Sequence, residues 1–394
     1  MKQLSRILLA SGMLLGLAAS GCSKGKAAGL KVGLILLHPA ASSTYDKNFY
    51  DGFKAAQKRL GFKAVIKENI PEGDLCQTTA EEMAEQGCNI IIADSFGHED
   101  YMIAAAKKYP NTYFCHATGT QAATAGVDNF YNAFASIYEG RYLAGVAAGL
   151  KLRELYGDNL TAEQAKVGYV GAHPYAEVKS GYTSWYLGLR SVVGNATMEV
   201  KFTNSWYDET AEKTVAELLI SRGAKLLSQH ADSYGAPTAC ENAGIPNVSY
   251  NGSTLGKCPN TFLVSSKIDW EPYYEHVIDC YMDEEKTLEK DYVGTVETGS
   301  VKLTEFSKNC ASGTKEFVEQ VKEELKNGTR HVFDVSTFTI GGAAPTEASV
   351  APNKTYTYDY PEGTTFLDNG FYHESFYRSA PSFDVDIDGI TILK

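Results

Sequence analysis

Few side chains in this chain of 394 residues stand at spacings that support covalent chemistry. The segment Gly252-Ser253-Thr254-Leu255-Gly256-Lys257-Cys258 has the outline of a loop whose amides and lysine cradle phosphate and whose hydroxyl holds magnesium. It is one residue short and carries Cys258 where the hydroxyl belongs. His98-Glu99-Asp100 is the one compact acidic-histidine group, and it reads as a solvated helix start rather than a metal site. GxSxG, HExxH and GxGxxG are all missing, and the eight histidines are scattered singly. With no nucleophile or acid-base pair to assemble, catalysis is not expected, and no cofactor or metal is implied.

Polar and aromatic residues recur instead in short groups: Ser95-Phe96-Gly97, His116-Ala117-Thr118-Gly119, Gln229-His230-Ala231-Asp232-Ser233 and Tyr250-Asn251-Gly252. Each follows a short apolar run without strict alternation, the pattern of a strand buried on both faces of a parallel sheet. Such runs stand at Val32 to Leu37, Ala64 to Ile66, Ile90 to Ala93 and Tyr113 to His116, and again at Val167 to Val170, Val200 to Phe202, Leu226 to Gln229 and Val248 to Tyr250. Helical stripes lie between them, including Phe49, Phe53, Ala56 and Leu60, and Ala211, Val215, Leu218 and Leu219. Right-handed βαβ crossovers then build two doubly wound sheets, joined by a helix from Tyr138 to Leu155 whose small residues predict close packing against a sheet. In open α/β sheets the carboxyl ends of the strands line the ligand crevice, so the polar groups of both halves are expected around one cleft.

The expected first lobe spans 31–128 plus 262–297, and the second 129–261 plus 298–394. Hinge crossings are expected at Asp128 to Phe134, Asn251 to Phe262 and Thr295 to Val301. Residues 341–381 are rich in Gly, Pro, Thr and Tyr and read as an extended surface insertion.

Composition narrows the partners. The chain is 44% hydrophobic and 21% charged, and 48 Asp+Glu against 36 Lys+Arg give a net charge of −12. That balance, with no long basic run, argues against a nucleic-acid groove and favours a small neutral ligand. Lys2 and Arg6 precede an apolar run from Ile7 to Ala19 that ends in Ala19-Ser20-Gly21-Cys22. This resembles a bacterial lipoprotein signal peptide over 1–21, which implies lipidation of Cys22, a tether over 22–30 and an extracytoplasmic, membrane-anchored protein. Seven further cysteines cannot all pair within one chain; most read as small buried hydrophobes, with Cys240 to Cys258 the bridge to test first.

Six motifs occur in a specific order: Ser95-Phe96-Gly97, His116-Ala117-Thr118-Gly119, Tyr138-Glu139-Gly140-Arg141-Tyr142-Leu143-Ala144-Gly145, Val167-Gly168-Tyr169-Val170, Asn204-Ser205-Trp206-Tyr207-Asp208 and Gln229-His230-Ala231-Asp232-Ser233. Together they resemble the basic membrane protein family of substrate-binding lipoproteins of ABC transporters, over about residues 30 to 330. The resemblance implies a two-lobed type I periplasmic-binding-protein fold that closes on a purine nucleoside or purine base and delivers it to an ABC permease. An extracytoplasmic nucleoside hydrolase and a ligand-sensing surface receptor are the alternatives.

Carried onto this sequence, the resemblance places Trp206 against the ligand ring from the second lobe. The opposing aromatic comes from Tyr45-Asp46-Lys47-Asn48-Phe49-Tyr50, with Tyr45 or Phe49 as the stacking residue. Edge groups would then discriminate between rings, with Asp232 accepting from a ring N–H or exocyclic amine and Asn251 and Ser95 offering both donor and acceptor; Phe96 is a further expected ligand contact. Lys267 matches a family lysine at the ligand's polar edge, and Asn251 stands where many relatives have Asp, which weakens the case for a ribose diol.

Overall fold

The computed structural model describes residues 26–351, 360 and 363–394. In chain order its first half runs β1 (Lys31–Ile35), α1 (Thr44–Leu60), β2 (Lys63–Lys67), α2 (Asp74–Glu85), β3 (Ile90–Ala93), α3 (Glu99–Lys108), β4 (Tyr113–Ala117) and β5 (Phe130–Ala135). The connecting helix α4 (Ile137–Tyr156) leads to β6 (Lys166–Gly171), α5 (Ala176–Arg190), β7 (Thr197–Phe202), α6 (Glu209–Ser221), β8 (Leu227–His230), α7 (Gly235–Ala243), β9 (Asn247–Tyr250) and β10 (Phe262–Ile268). Then follow α8 (Glu271–Met282), β11 (Asp291–Gly294), β12 (Val301–Leu303), α9 (Thr314–Lys326), α10 (Glu347–Val350), the hairpin β13 (Leu367–Asp368) and β14 (Phe371–Tyr372), and β15 (Ile390–Ile392).

The first sheet has the order β11-β5-β4-β3-β1-β2, all parallel; the second has β12-β10-β9-β8-β6-β7-β15, parallel except for β12. Sequence and register agree closely at the centre of each sheet. Ile90-Ile91-Ile92-Ala93 of β3 is wholly buried between β1 and β4, as a strand covered by helices on both faces must be. Two strands fall on the other sheet from the expectation. β5, read as a hinge crossing, is buried at all six positions and extends the first sheet beside β4. β10, read as a return to the first lobe, pairs with β9 in the second. The chain therefore crosses between the sheets at 136, at 269–270 and at 295–300, and the 251–261 loop does not cross at all.

The three crossings are tied to one another. Ser136 N donates to Gly294 O at 2.7 Å, Asp269 N to Ser300 O at 2.7 Å, and Val296 N to Glu139 Oε2 at 3.0 Å. Close packing of α4 is real but is directed mostly at another helix. A β-carbon on Gly145 would lie 2.0 Å from Trp185 O and one on Gly188 2.0 Å from Tyr142 O, so α4 and α5 touch backbone to backbone; Gly140 alone faces Ser266 and Val301 of the sheet.

The region read as a surface insertion contributes to the core instead. Phe366 and Tyr372 are buried in the second lobe's core, Tyr372 against Phe333 and against Phe383 just beyond the segment, because a stretch this dense in aromatics has enough apolar area to seat itself. All seven described cysteines are free thiols, Cys240 and Cys258 included, and six of them are buried. They serve as small apolar fillers rather than a disulfide framework.

Candidate functional site

The carboxyl ends of the two sheets face each other, and the loops leaving them enclose a cavity. From the first lobe it is lined by Leu37 after β1, Tyr45 of α1, Ser95 and Phe96 after β3, and Thr118 after β4. Glu177 of α5, Trp206 after β7, His230 and Asp232 at the end of β8, and Tyr250 at the end of β9 complete it from the second.

Local structure explains each position. Ser43 caps α1 by accepting from Asp46 N at 3.1 Å, which starts the helix one residue before Tyr45 and turns that ring inward. The phenol then donates to Asp94 O at 2.6 Å, and burial, followed by the charge of Asp94, pushes its ionisation well above the usual phenol range. Ser95 Oγ donates to Glu72 Oε1 at 2.6 Å, and Gly97 N donates to the same oxygen at 2.9 Å, fixing the turn that presents Phe96. Thr118 has φ +69°, a left-handed conformation that costs a β-branched residue energy and that clusters at binding sites.

On the opposite wall Trp206 belongs to an aromatic group. Its ring lies 4.9 Å from His173 edge-on and 5.9 Å from Tyr175, and Phe96 reaches across the cleft to within 6.0 Å of Tyr175. Asp232 N donates to Trp206 O at 3.0 Å, so the strand-end loop carrying the carboxyl is pinned to the loop carrying the indole. Asp232 does not cap α7; Ser233 Oγ accepts from Gly235 N there. Burial raises the Asp232 carboxyl well above the ordinary carboxylate range, and the charges of Asp46, Glu212 and Glu177 add to the effect.

Five of the nine ligand-site residues expected from sequence line this cavity: Tyr45, Ser95, Phe96, Trp206 and Asp232. Four do not. Phe49 is wholly buried and stacks on Trp270 at 4.1 Å, inside the core of the first lobe. Asp46 accepts from His38 N at 2.7 Å and titrates as a pair with buried Asp94. Burial pushes the Asp94 carboxyl well up, and the neighbouring Asp46 charge adds to it; Asp46 is held low by its bonds from His38 and Ser43, which outweigh burial. Asn251 spans the two lobes, accepting from Asn48 Nδ2 at 3.3 Å and reaching Asp232 Oδ1 at 3.5 Å. Lys267 sits on a neighbouring groove with Asn48, Asp51 and Lys302.

Of the other lining residues, Thr118, His230 and Tyr250 belong to the strand-end groups expected around the cleft, whereas sequence reading missed Leu37 and, with more consequence, Glu177. It occupies the first turn of α5, where an acid is ordinary for dipole reasons, and only its place just after the carboxyl end of β6 marks it. Its Oε1 lies 3.2 Å from His230 Nε2. Burial, then the nearby Arg141 charge, pushes the His230 imidazole down to about 4, so the neutral ring meets Glu177 with its proton on Nε2.

The profile of the Bmp family, described as ABC transporter substrate-binding protein PnrA-like, matches residues 30–333. The chain belongs to this family. A purine-binding protein of Brucella abortus is 30% identical over 329 residues, covering 83% of this chain and 88% of the relative. A Haloferax volcanii protein named for glucose binding in ABC transport is 32% identical over 66% of this chain and 62% of its own length. Among solved structures, an ABC transporter solute-binding protein from Conexibacter woesei matches with TM-score 0.61 at 18% identity, covering 77% of this chain and 98% of that one. A transcriptional activator of the comK gene from Bacillus halodurans also gives 0.61 at 18%, covering 76% and 99%; these structural likenesses speak for the shared fold alone.

As the resemblance implied, the fold is that of type I periplasmic binding proteins, and the protein is a substrate-binding component of an ABC transporter rather than an enzyme. Its place in such a system is extracytoplasmic, with a small-molecule ligand and a permease as partners.

Proposed function

We propose that this protein captures a purine base or nucleoside in the interlobe cavity and hands it, chemically unaltered, to its permease. The observation that carries the reading is the pairing of Trp206 from the second lobe with Tyr45 and Phe96 from the first around one cavity. A planar ring between such faces gains about 1 to 3 kcal/mol per stacked face. The purine-binding relative supports the same ligand class.

The three crossings act as the hinge, and closure brings together half-sites that neither lobe holds alone. Lipidation of Cys22 would tether the protein to the membrane; Cys22 and the leader before it lie outside the described residues.

Calorimetric titration with adenine, guanine, hypoxanthine, their nucleosides and glucose tests the ligand. Saturable binding of at least one purine without binding of glucose is expected; glucose binding, or no response to any purine, overturns the reading. Cys22→Ser should release the protein from the membrane fraction, and retention there would remove the anchor.

A further inference from the structure

Glu177 and Tyr250 face the cavity without a role in the stacking just described, and the hydrogen-bond inventory of the walls gives them one. Around the cavity, most side-chain protons are already committed. Tyr45 donates to Asp94 O, Ser95 donates to Glu72, and the neutral His230 ring meets Glu177. What these groups still offer inward is lone pairs. Two carboxyl groups, Glu177 and Asp232, add their oxygens to this wall, and no lysine or arginine among the described residues lines the cavity. His230 is the only protein donor among the described residues that reaches Glu177.

Tyr250 supplies the complement. Its hydroxyl is buried and has no protein partner, which costs free energy unless something in the cavity accepts from it. The Arg141 guanidinium lies 3.4 Å from the centroid of its ring and withdraws electron density from it, which strengthens the hydroxyl as a donor. The walls therefore present carboxyl oxygens and, in the buried Tyr250 hydroxyl, a donor without a protein partner.

We infer that Glu177 is a specificity-determining residue: with Asp232 it accepts from N–H groups on the ligand edge while the Tyr250 hydroxyl donates to a ring nitrogen or carbonyl, so the site selects uncharged purines with N–H donors and rejects anionic ones. The inference rests on the purine reading of the site. A purine edge alternates N–H donors with ring-nitrogen acceptors at hydrogen-bond spacing, as this wall requires. A nucleotide phosphate would face the Glu177 and Asp232 carboxyl groups with no cation among the described residues that line the cavity.

The test is a cycle between protein and ligand. Whichever of adenine, guanine and hypoxanthine binds is titrated into the wild type and Glu177→Gln alongside derivatives methylated in turn at each N–H, and alongside the corresponding monophosphate. Gln keeps an acceptor for His230 Nε2, so a melting temperature close to the wild type's shows that the fold is intact. The expected result is at least a tenfold loss of affinity for the parent base in Glu177→Gln, less than a twofold further loss for the derivative that lacks the donor facing Glu177, and no binding of the monophosphate. Tyr250→Phe should weaken the parent base at least fivefold.

Equal losses for the parent base and every methylated derivative, an unchanged parent affinity in Glu177→Gln, or tight binding of the monophosphate would overturn the inference while leaving purine capture standing. Failure of every purine to bind wild type would overturn both.

Discussion

Asn48 of α1 and Asn251 after β9 hydrogen-bond across the mouth of the cleft, Nδ2 to Oδ1 at 3.3 Å, and Thr44 N beside them donates to Asp232 O at 3.1 Å. These bonds join the first lobe to the second beside the cavity, so an opening of the cleft on this side would break them. Asn251 holds φ +63°, a left-handed conformation that Asn and Gly tolerate and that other side chains pay for in strain. Asn251→Gly therefore removes the amide without straining the backbone. Ligand affinity should fall about three- to tenfold, the scale of a lost hydrogen bond of ~1 kcal/mol. Lys267→Met, at a residue outside the enclosed cavity, should leave affinity within twofold; calorimetry on both variants checks the distinction, and a larger loss at Lys267 would return it to the site.

Trp206 and Phe49 separate binding from folding. Trp206→Ala should weaken purine binding by about 1 to 3 kcal/mol with little change in melting temperature, since the ring is only partly buried and packs on His173 and Tyr175. Phe49→Ala should destabilise the protein by about 3 to 5 kcal/mol, because its ring is fully buried against Trp270. Urea unfolding and ligand titration on the two variants should give opposite patterns.

The central strands and the cleft between them were legible because β1, β3, β6 and β8 are short runs buried on both faces, a pattern with few alternatives. Tyr45 and Phe49 were harder to tell apart. They lie one turn apart on the same helix face, 5.0 Å between rings, and periodicity cannot say which meets the cavity and which meets α8. Strand β5 was hidden by Asn132 at its centre, which looks like a loop residue. In the fold that amide is buried, accepting from Gly119 N and donating to Gly119 O and Asp291. Long-range partners of this kind leave no local mark in a sequence.

Glu212 gives the protein a pH dependence of known sign. Burial pushes its carboxyl up to about 7, above the ordinary value of 4.5, and its Oε1 accepts from Asp208 N and Ser233 N while Oε2 has no partner. A carboxyl whose folded value is raised binds its proton more tightly in the folded state. Its contribution to stability is full below 4.5 and is lost as pH rises through about 7. Glu212→Gln retains the accepting oxygen and removes the titration. The variant should lose less stability than wild type between pH 4.5 and 8, by up to about 3 kcal/mol. Urea unfolding at the two pH values reads this directly, and parallel curves for the two proteins would show that the residue does not titrate in this window.

Residues 363–394 lie beyond the region matched to the family, and they also tie the two lobes together. The segment is seated in the second lobe through Phe366, Tyr372 and Phe383, and β15 pairs with β7. From there Ser379 reaches the first lobe: its N–H donates to Asp291 Oδ2 at 2.7 Å, its hydroxyl donates to Asp291 Oδ1, and Asn132 Nδ2 donates to that hydroxyl at 3.1 Å. Asn132 Oδ1 lies 3.2 Å from His116 Nδ1, and His116 Nε2 lies 2.7 Å from the carbonyl of Ser95 at the cavity wall. A strap anchored on one lobe and bonded to the other resists any hinge motion that separates Ser379 from Asp291. Ser379→Ala removes the hydroxyl's bonds and leaves Asp291, whose carboxyl burial already pushes up, with fewer donors. Stability should fall by about 1 to 3 kcal/mol. Amide exchange in the three crossings should also rise in the ligand-free variant; exchange unchanged there, with the same loss of stability, would mean that the strap supports the fold without restraining the hinge.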